Sequence, residues 1–402
     1  MGSGGASAAT TSGASSSVST ATTGSTSGSA TTTSTSTPTT GASTATTTST
    51  TGSGTTGTGG AGGATGVPIE AGTVEASTGP ANCGRPVHPH LPSCPAGQRT
   101  VVLGLLSRSL ASPNLRGFEL VWINPDSGTY AAYPGPSSPN ILMGIDAVSL
   151  GLFGIDQIAH RLYLTGMTGV APDFRLFTID TVAGAVVAGP LLSSTPGPAV
   201  FAVNRKGVLL GAQWIDSNEE LRAYDPASGS SVPFTDPSTP QVLAGIKSLS
   251  LGGSAYDAVM DRLYIMGGDE GGLGRLFTVD TAKGFVMSNR MVSPPANFTT
   301  VVDGYGRLLG IFWNGVAEEL RAIDPDTGGH CPFPDPSVPH FVTGLRWLFN
   351  GAVAIDNDAG RMYVVGGETS DAARLYVVDT VGNAPTKSNP IASLTAITVA
   401  CH

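Results

Sequence analysis

Charge is what this sequence has least of. Asp, Glu, Lys and Arg make up 12% of its 402 residues, where about 25% is usual for a soluble protein. The shortage is uneven: no charged residue precedes Glu70, and no aromatic ring precedes Phe118. Basic residues are outnumbered 20 to 29 by acidic ones, for a net charge of -9. With no Lys/Arg cluster, the electrostatic footprint of a nucleic-acid binder is missing. No apolar run reaches the roughly 18 residues that mark a membrane helix. The opening MGSGGASAAT has no basic segment followed by an apolar one, so no secretory signal is read there. Helical periodicity is absent throughout. There is no G-x-S-x-G nucleophile elbow and no phosphate-binding Gly loop ahead of a helix. None of the six histidines recurs in a pattern or sits at a suggestive spacing from a carboxylate. These absences lean away from an enzyme.

What is present falls into three parts. Residues 1–76 are almost wholly Thr, Ser, Gly and Ala. Such a segment has nothing to bury and cannot offset the entropy of ordering. It reads as a disordered linker, or as a mucin-like stalk glycosylated at Thr clusters such as Thr46, Thr47 and Thr48. An ordered packing role in an assembly is the third reading. Residues 77–98 form a Cys/Pro-rich connector, and 99–402 the folded part.

That folded part is repetitive. RLFTIDTVAG (175–184), RLFTVDTAKG (275–284) and RLYVVDTVGN (374–383) recur at intervals of 100 and 99. Between them lie ELVWINPDSG (119–128), ELRAYDPASG (220–229) and ELRAIDPDTG (319–328). All six share a charged residue, Leu, a β-prone run, Asp or Asn at +5, and Gly or Asn at +9. Gly128, Gly184, Gly229, Gly284, Gly328 and Asn383 fill the last position, and these two residue types adopt positive φ most readily. Asp-Pro-x-x-Gly and Asp-Thr-x-x-Gly are turn signals between strands. Around each template lie four short strands, so the pattern predicts an all-β, six-bladed β-propeller of four-stranded blades. The first unit lacks its first strand, and TAITVAC (395–401) is left over at the C-terminus. The expectation is that this strand closes the ring, removing two exposed sheet edges.

RLYIMGG and RMYVVGG resemble the strand-plus-glycine-pair of kelch repeats, and RLYVVDTVGN resembles the YVTN-type propeller repeat. The Trp that follows the turn in kelch repeats is missing. The resemblance implies the propeller fold and no activity.

Three register-matched sets are candidate functional groups. Glu119, Glu220 and Glu319 alternate around the ring with Arg175, Arg275 and Arg374, a pattern read as Glu–Arg pairing between adjacent blades, or as a charged ring holding a ligand. Asp156, Asp257 and Asp356 each precede an Arg by five residues and fall near the axial channel. Three carboxylates around one axis are a candidate Ca²⁺ site; the plainer reading is turn capping. The loops between second and third strands carry Trp214, Asp216, Glu219, Asp269, Glu270, Trp313, Glu318, Glu368 and Asp371. An acidic rim with two matched Trp residues suits sugars or basic partners, unless the Trp residues plug inter-blade gaps.

The four cysteines allow three pairings. Cys401 ends the closing strand and Cys94 approaches the strand it pairs with, so a Cys94–Cys401 bond would lock the ring; Cys83 is left with Cys94 or Cys331. The rival for CGRPVHPHLPSC is a zinc site of Cys83, His88, His90 and Cys94. Disulfides imply an oxidising compartment, and Asn297-Phe-Thr is the one N-glycosylation acceptor pattern. The sequence therefore reads as an extracellular or cell-surface binding or scaffold protein that presents a propeller on a stalk. It would have a protein or glycan partner on the loop face, or assemble with itself. The alternative is a metal-dependent propeller hydrolase or lactonase with its site in the channel.

Overall fold

The computed structural model describes residues 83–402, apart from 110–115, 134–139, 144–146, 168–173, 193–198, 216–217, 235–240, 272, 293–298, 369–372, 383, 385 and 392. The tail 1–76, Asp216, Asp371, Asn297 and Asn383 therefore lie outside the described residues. All described residues belong to one unit, Pro68–His402.

The chain folds as a six-bladed β-propeller, and among the described residues there is no helix. Blade two illustrates the unit: an inner strand Ala147–Asp156, then Arg161–Met167, Phe174–Asp180 and the outer Val186–Ala188, each antiparallel to the last. Blade one takes its inner strand from the C-terminus: Leu394–Cys401 pairs antiparallel with Thr100–Ser109, with Thr100 opposite Cys401. This is the closure expected from the spare strand.

The six templates are the third strands. Their Leu positions, Leu120, Leu176, Leu221, Leu276, Leu320 and Leu375, are all buried in the layers between blades. Each such burial contributes about 2 kcal/mol. The Asp or Asn at +5 caps the turn that follows: Asn124, Asp180, Asp225, Asp280, Asp324 and Asp379 each accept the N–H two residues on through Oδ1. Asp180 is held at about 2, first by the backbone N–H of Ala183 and then by the Arg161 guanidinium.

Odd and even blades differ, so the ring is three copies of a two-blade unit. In even blades the inner strand bulges before Phe153, Ser254 and Val353. In odd blades the outer strand is split, as in His330–Pro332 and His340–Phe341 of blade five. An aromatic at each split is buried, and its N–H bonds the third strand: Tyr133 to Leu120, Phe234 to Leu221 and Phe333 to Leu320, all at 3.1 Å.

The turn glycines of odd blades press on the preceding even blade. Gly328 has φ +76°, and a Cβ there would run into the Met291 carbonyl; Gly229 faces the Leu191 carbonyl in the same way. Gly328→Ala is expected to cost about 2–3 kcal/mol, adding a backbone clash to left-handed strain. Gly315 has φ +95° with nothing near its would-be Cβ. Gly315→Ala should therefore cost only about 1 kcal/mol. Equal denaturation midpoints for the two variants would show that blade contact adds nothing.

Candidate functional site

The charged ring comes first. Glu119 takes Arg108 of its own hairpin at 2.5 Å. Glu220 takes Arg222 at 3.1 Å, and Glu319 takes Arg321 at 3.2 Å. Arg275 lies 3.4 Å from Asp269 in its own blade, and Arg175 donates to the Gly189 carbonyl at 2.8 Å. Arg374 keeps a buried Nε without a hydrogen-bond partner among the described residues. Pairing of Glu with Arg between adjacent blades is thereby corrected. Glu119, Glu220, Glu319, Arg175 and Arg275 each take a partner within their own blade, so the alternation of sign does not stitch blades together.

Asp156, Asp257 and Asp356 end the inner strands of the even blades. Each uses Oδ1 to accept two N–H groups of its own turn: Ile158 and Ala159, Val259 and Met260, Asp358 and Ala359. Asp356 Oδ2 also accepts the Thr100 hydroxyl at 2.7 Å, tying blade six to blade one. They do not converge, and among the described residues no three His, Cys, Asp or Glu side chains are grouped to hold a metal ion. One oxygen of each is thus engaged in turn capping, the plainer of the two readings that the sequence offered.

The mouth of the axial channel on this side is crossed by chain. Residues 83–94, within the Cys/Pro-rich connector, run over the turns of several blades. Val87 N–H donates to the Tyr305 carbonyl at 2.8 Å, and Leu91 N–H to that of Gly304 at 2.6 Å, both on blade five. His88 Nε2 lies 3.4 Å from Asp257 Oδ1 of blade four, both side chains buried. Ser93 Oγ accepts the Asn357 N–H of blade six at 2.6 Å. Cys94 then joins Cys401 of blade one in a disulfide. That bond removes Cys94 from the zinc alternative. Beneath this strap is a cavity of about 710 Å³, lined by inner-strand residues such as Ile155, Ala255, Val301 and Val399, with Leu91 and Ser93 contributing from the strap.

The opposite end carries the predicted rim. Trp214 stands across from Glu219 on the second and third strands of blade three, and Trp313 across from Glu318 in blade five. Trp313 is 42% exposed and Trp214 half-buried. The two carboxylates are not ordinary solvated loop acids. Glu318 is 5% exposed, and one oxygen of each Glu is buried without a hydrogen-bond partner among the described residues. Burial pushes both carboxyls up to about 7. Glu270 is exposed and paired with Lys247 at 2.8 Å. Asp269 binds the N–H groups of Gly271 and Leu273 besides Arg275. Glu368 is exposed, with its carboxylate close to where a Cβ on Gly344 would lie. Among the described residues the rim is thus two matched Trp–Glu pairs flanked by Asp269 and Glu270, which are engaged locally, and by Glu368.

No protein-family model matches the chain, and no curated protein matches it. Solved structures do. The chain is similar to TolB from Acinetobacter baumannii at 12% identity and a TM-score of 0.50, over 75% of this chain and 66% of that one. It is also similar to a chain of a nidogen/laminin complex at 13% identity and a TM-score of 0.48, over 75% and 98%. A third is the β-propeller domain of the Trilobed protease from Pyrococcus furiosus, at 10% identity and 0.40, over 73% and 80%. Likeness at these identities is one of fold, and a propeller hosts many functions. The chain spans only 66% of the TolB structure's length.

Three features were missed in the sequence reading. The two-blade unit was signalled by AYPGPSSP (132–139), PFTDPSTP (233–240) and PFPDPSVP (332–339), which occur only in odd blades. The strap had a weaker signal in its Pro-rich, rigid composition between two cysteines. Burial of Glu219 and Glu318 had none: a Glu beside a Glu at the start of a strand reads as solvated.

Proposed function

We propose that the chain is an extracellular or cell-surface binding module that takes a protein partner on the rim built by blades three and five. The observation that carries this reading is the repeated pair of a Trp directly across the strand pair from a carboxylate that has no counter-ion among the described residues, Trp313–Glu318 and Trp214–Glu219. An aromatic face beside a desolvated carboxylate is suited to the ammonium or guanidinium of a basic side chain. The ring-closing disulfide and the Ser/Thr-rich tail support an oxidising, extracytoplasmic setting. Glycan recognition by the same Trp residues, and self-assembly, are the competing outcomes of the test.

The test is binding to an array of Lys/Arg-rich peptides alongside a glycan array, with sedimentation to read self-association. Peptide binding is expected to be stronger at pH 8 than at pH 6, because the two carboxyls lose their protons around 7. Trp313→Ala should weaken it tenfold or more. Unchanged binding in a Trp214→Ala/Trp313→Ala variant would overturn the assignment of this face.

A further inference from the structure

We infer that Cys83 and Cys331 are a second disulfide site, and that its bond anchors the N-terminal end of the strap across the channel mouth. With Cys94 bonded to Cys401, this is the one pairing left to the chain's four cysteines. The two remaining thiols are unbonded in this structure but are not scattered: Cys331 packs against the same apolar cluster that holds Cys83. Cys83 is 8% exposed, packed in the blade-five core with Leu320, Ala322, Phe333 and Val342. Cys331 lies on the outer strand directly opposite Ala322. A Cβ on the neighbouring Gly84 would stand 3.3 Å from the Phe333 ring and 3.8 Å from the Ala322 methyl. This seat is therefore made by the same strand pair that carries Cys331.

The two sulfurs are unequal in a way that orders the chemistry. Cys331 is partly exposed and its thiol is shifted down, first by the hydrogen bond from Cys83; Cys83 is buried and shifted up. The thiolate is the attacking species and access sets which sulfur meets the oxidant. The oxidant is a disulfide, either glutathione disulfide or an exported oxidase. Cys331 thiolate attacks one of its sulfurs, forming a mixed disulfide and expelling one thiolate. Cys83 then gives up its proton and attacks the Cys331 sulfur, expelling the second. Two thiols are oxidised, one external disulfide is reduced to two thiols, and the protons lost from Cys331 and Cys83 end on the released thiolates.

The consequence is geometric. The strap would be held covalently at both ends, by Cys83 on blade five and Cys94 on blade one, with backbone hydrogen bonds to Tyr305 and Gly304 between. The strap is then fixed across the cavity, with Leu91 and Ser93 in its lining, for as long as the pair is oxidised.

The experiment uses the full chain, equilibrated at pH 8 with glutathione and glutathione disulfide, acid-quenched, denatured, treated with N-ethylmaleimide and weighed intact. No adduct is expected before reduction and four after it. Two adducts with the Cys94–Cys401 bond still present would overturn the proposal, and so would glutathione retained on Cys331, since Cys83 would then have failed to resolve it. Cys331→Ser leaves Cys83 as a single thiol and one adduct is expected. In that variant the Val87 and Leu91 amides should exchange at least tenfold faster than in the oxidised protein; equal rates would overturn the anchoring role.

Discussion

Replacing Cys94 and Cys401 together by serine is expected to destabilise the propeller by on the order of 5 kcal/mol, the largest effect of any change considered. The bond spans 307 positions in sequence. Cross-linking so distant a pair removes most of the freedom of the unfolded chain, and in the chain-entropy model the gain grows with the logarithm of that span. Cys401 is also fully buried, so the serine variant loses some packing as well. Without the bond, blade one is held shut by hydrogen bonds, chiefly the ladder from Thr100 opposite Cys401 to Leu106 opposite Leu394, which carries a bulge between Leu105 and Leu106. The closing strand should then fray first, exposing two sheet edges. The comparison is made in a Cys83→Ser/Cys331→Ser background, so that a second cross-link does not mask the loss. Denaturant midpoints and amide exchange at Ile397 and Val399 are the readouts. A stability change below about 1 kcal/mol would mean the ring is closed by strand pairing alone.

Blade number and closure were legible because each rested on a repeated local constraint. A turn needs Asp or Asn to accept the next amides, a left-handed residue to reverse the chain, and a Leu to fill the gap between blades; six copies in register leave little freedom. The spare strand at the C-terminus was equally plain, since an unpaired β-strand must find an edge. Side-chain partners were not legible in this way. The alternating Glu and Arg residues share a height on the ring, but sharing a height does not fix which neighbour is nearer. Arg222 and Arg321, two residues along the same strand, take Glu220 and Glu319 before any group of the next blade can. The Asp trio shows the same limit. Spacing placed Asp156, Asp257 and Asp356 at matched turns, and their own turns had already claimed them. The strap was hidden for a different reason: its contacts to Tyr305, Asp257 and Asn357 are all long-range, and no repeat encodes them.

Glu318→Gln should leave the protein more stable than the parent at pH 8 and little changed at pH 4. Glu318 is 5% exposed, and burial lifts its carboxyl from an ordinary 4.5 to about 7. Below pH 4.5 the group is protonated both in the native state and in the unfolded chain, and it exacts no penalty. Between 4.5 and 7 the native state keeps a proton that the unfolded chain has lost, so stability falls as pH rises. Above 7 the charge is buried and the loss is complete, on the order of 3 kcal/mol for a shift of this size. Glu219, shifted by the same cause to the same value, adds a parallel loss. The turn carboxylates work in the opposite sense: Asp180, held at about 2, contributes stability above its ordinary 3.8 that fades as pH falls toward 2. Stability is therefore expected to peak near pH 4–5 and to decline toward pH 8. Glu318→Gln should remove about half of that decline, and the Glu219→Gln/Glu318→Gln variant nearly all of it. Denaturation free energies from pH 4 to 9 decide the matter, and parallel curves for parent and variants would sink it. A basic side chain docked against Trp313 would restore the missing counter-charge. The instability that these two glutamates create at neutral pH is then what a partner relieves on binding, and a bound basic peptide should raise the denaturation midpoint of the parent at pH 8 but not that of the double variant.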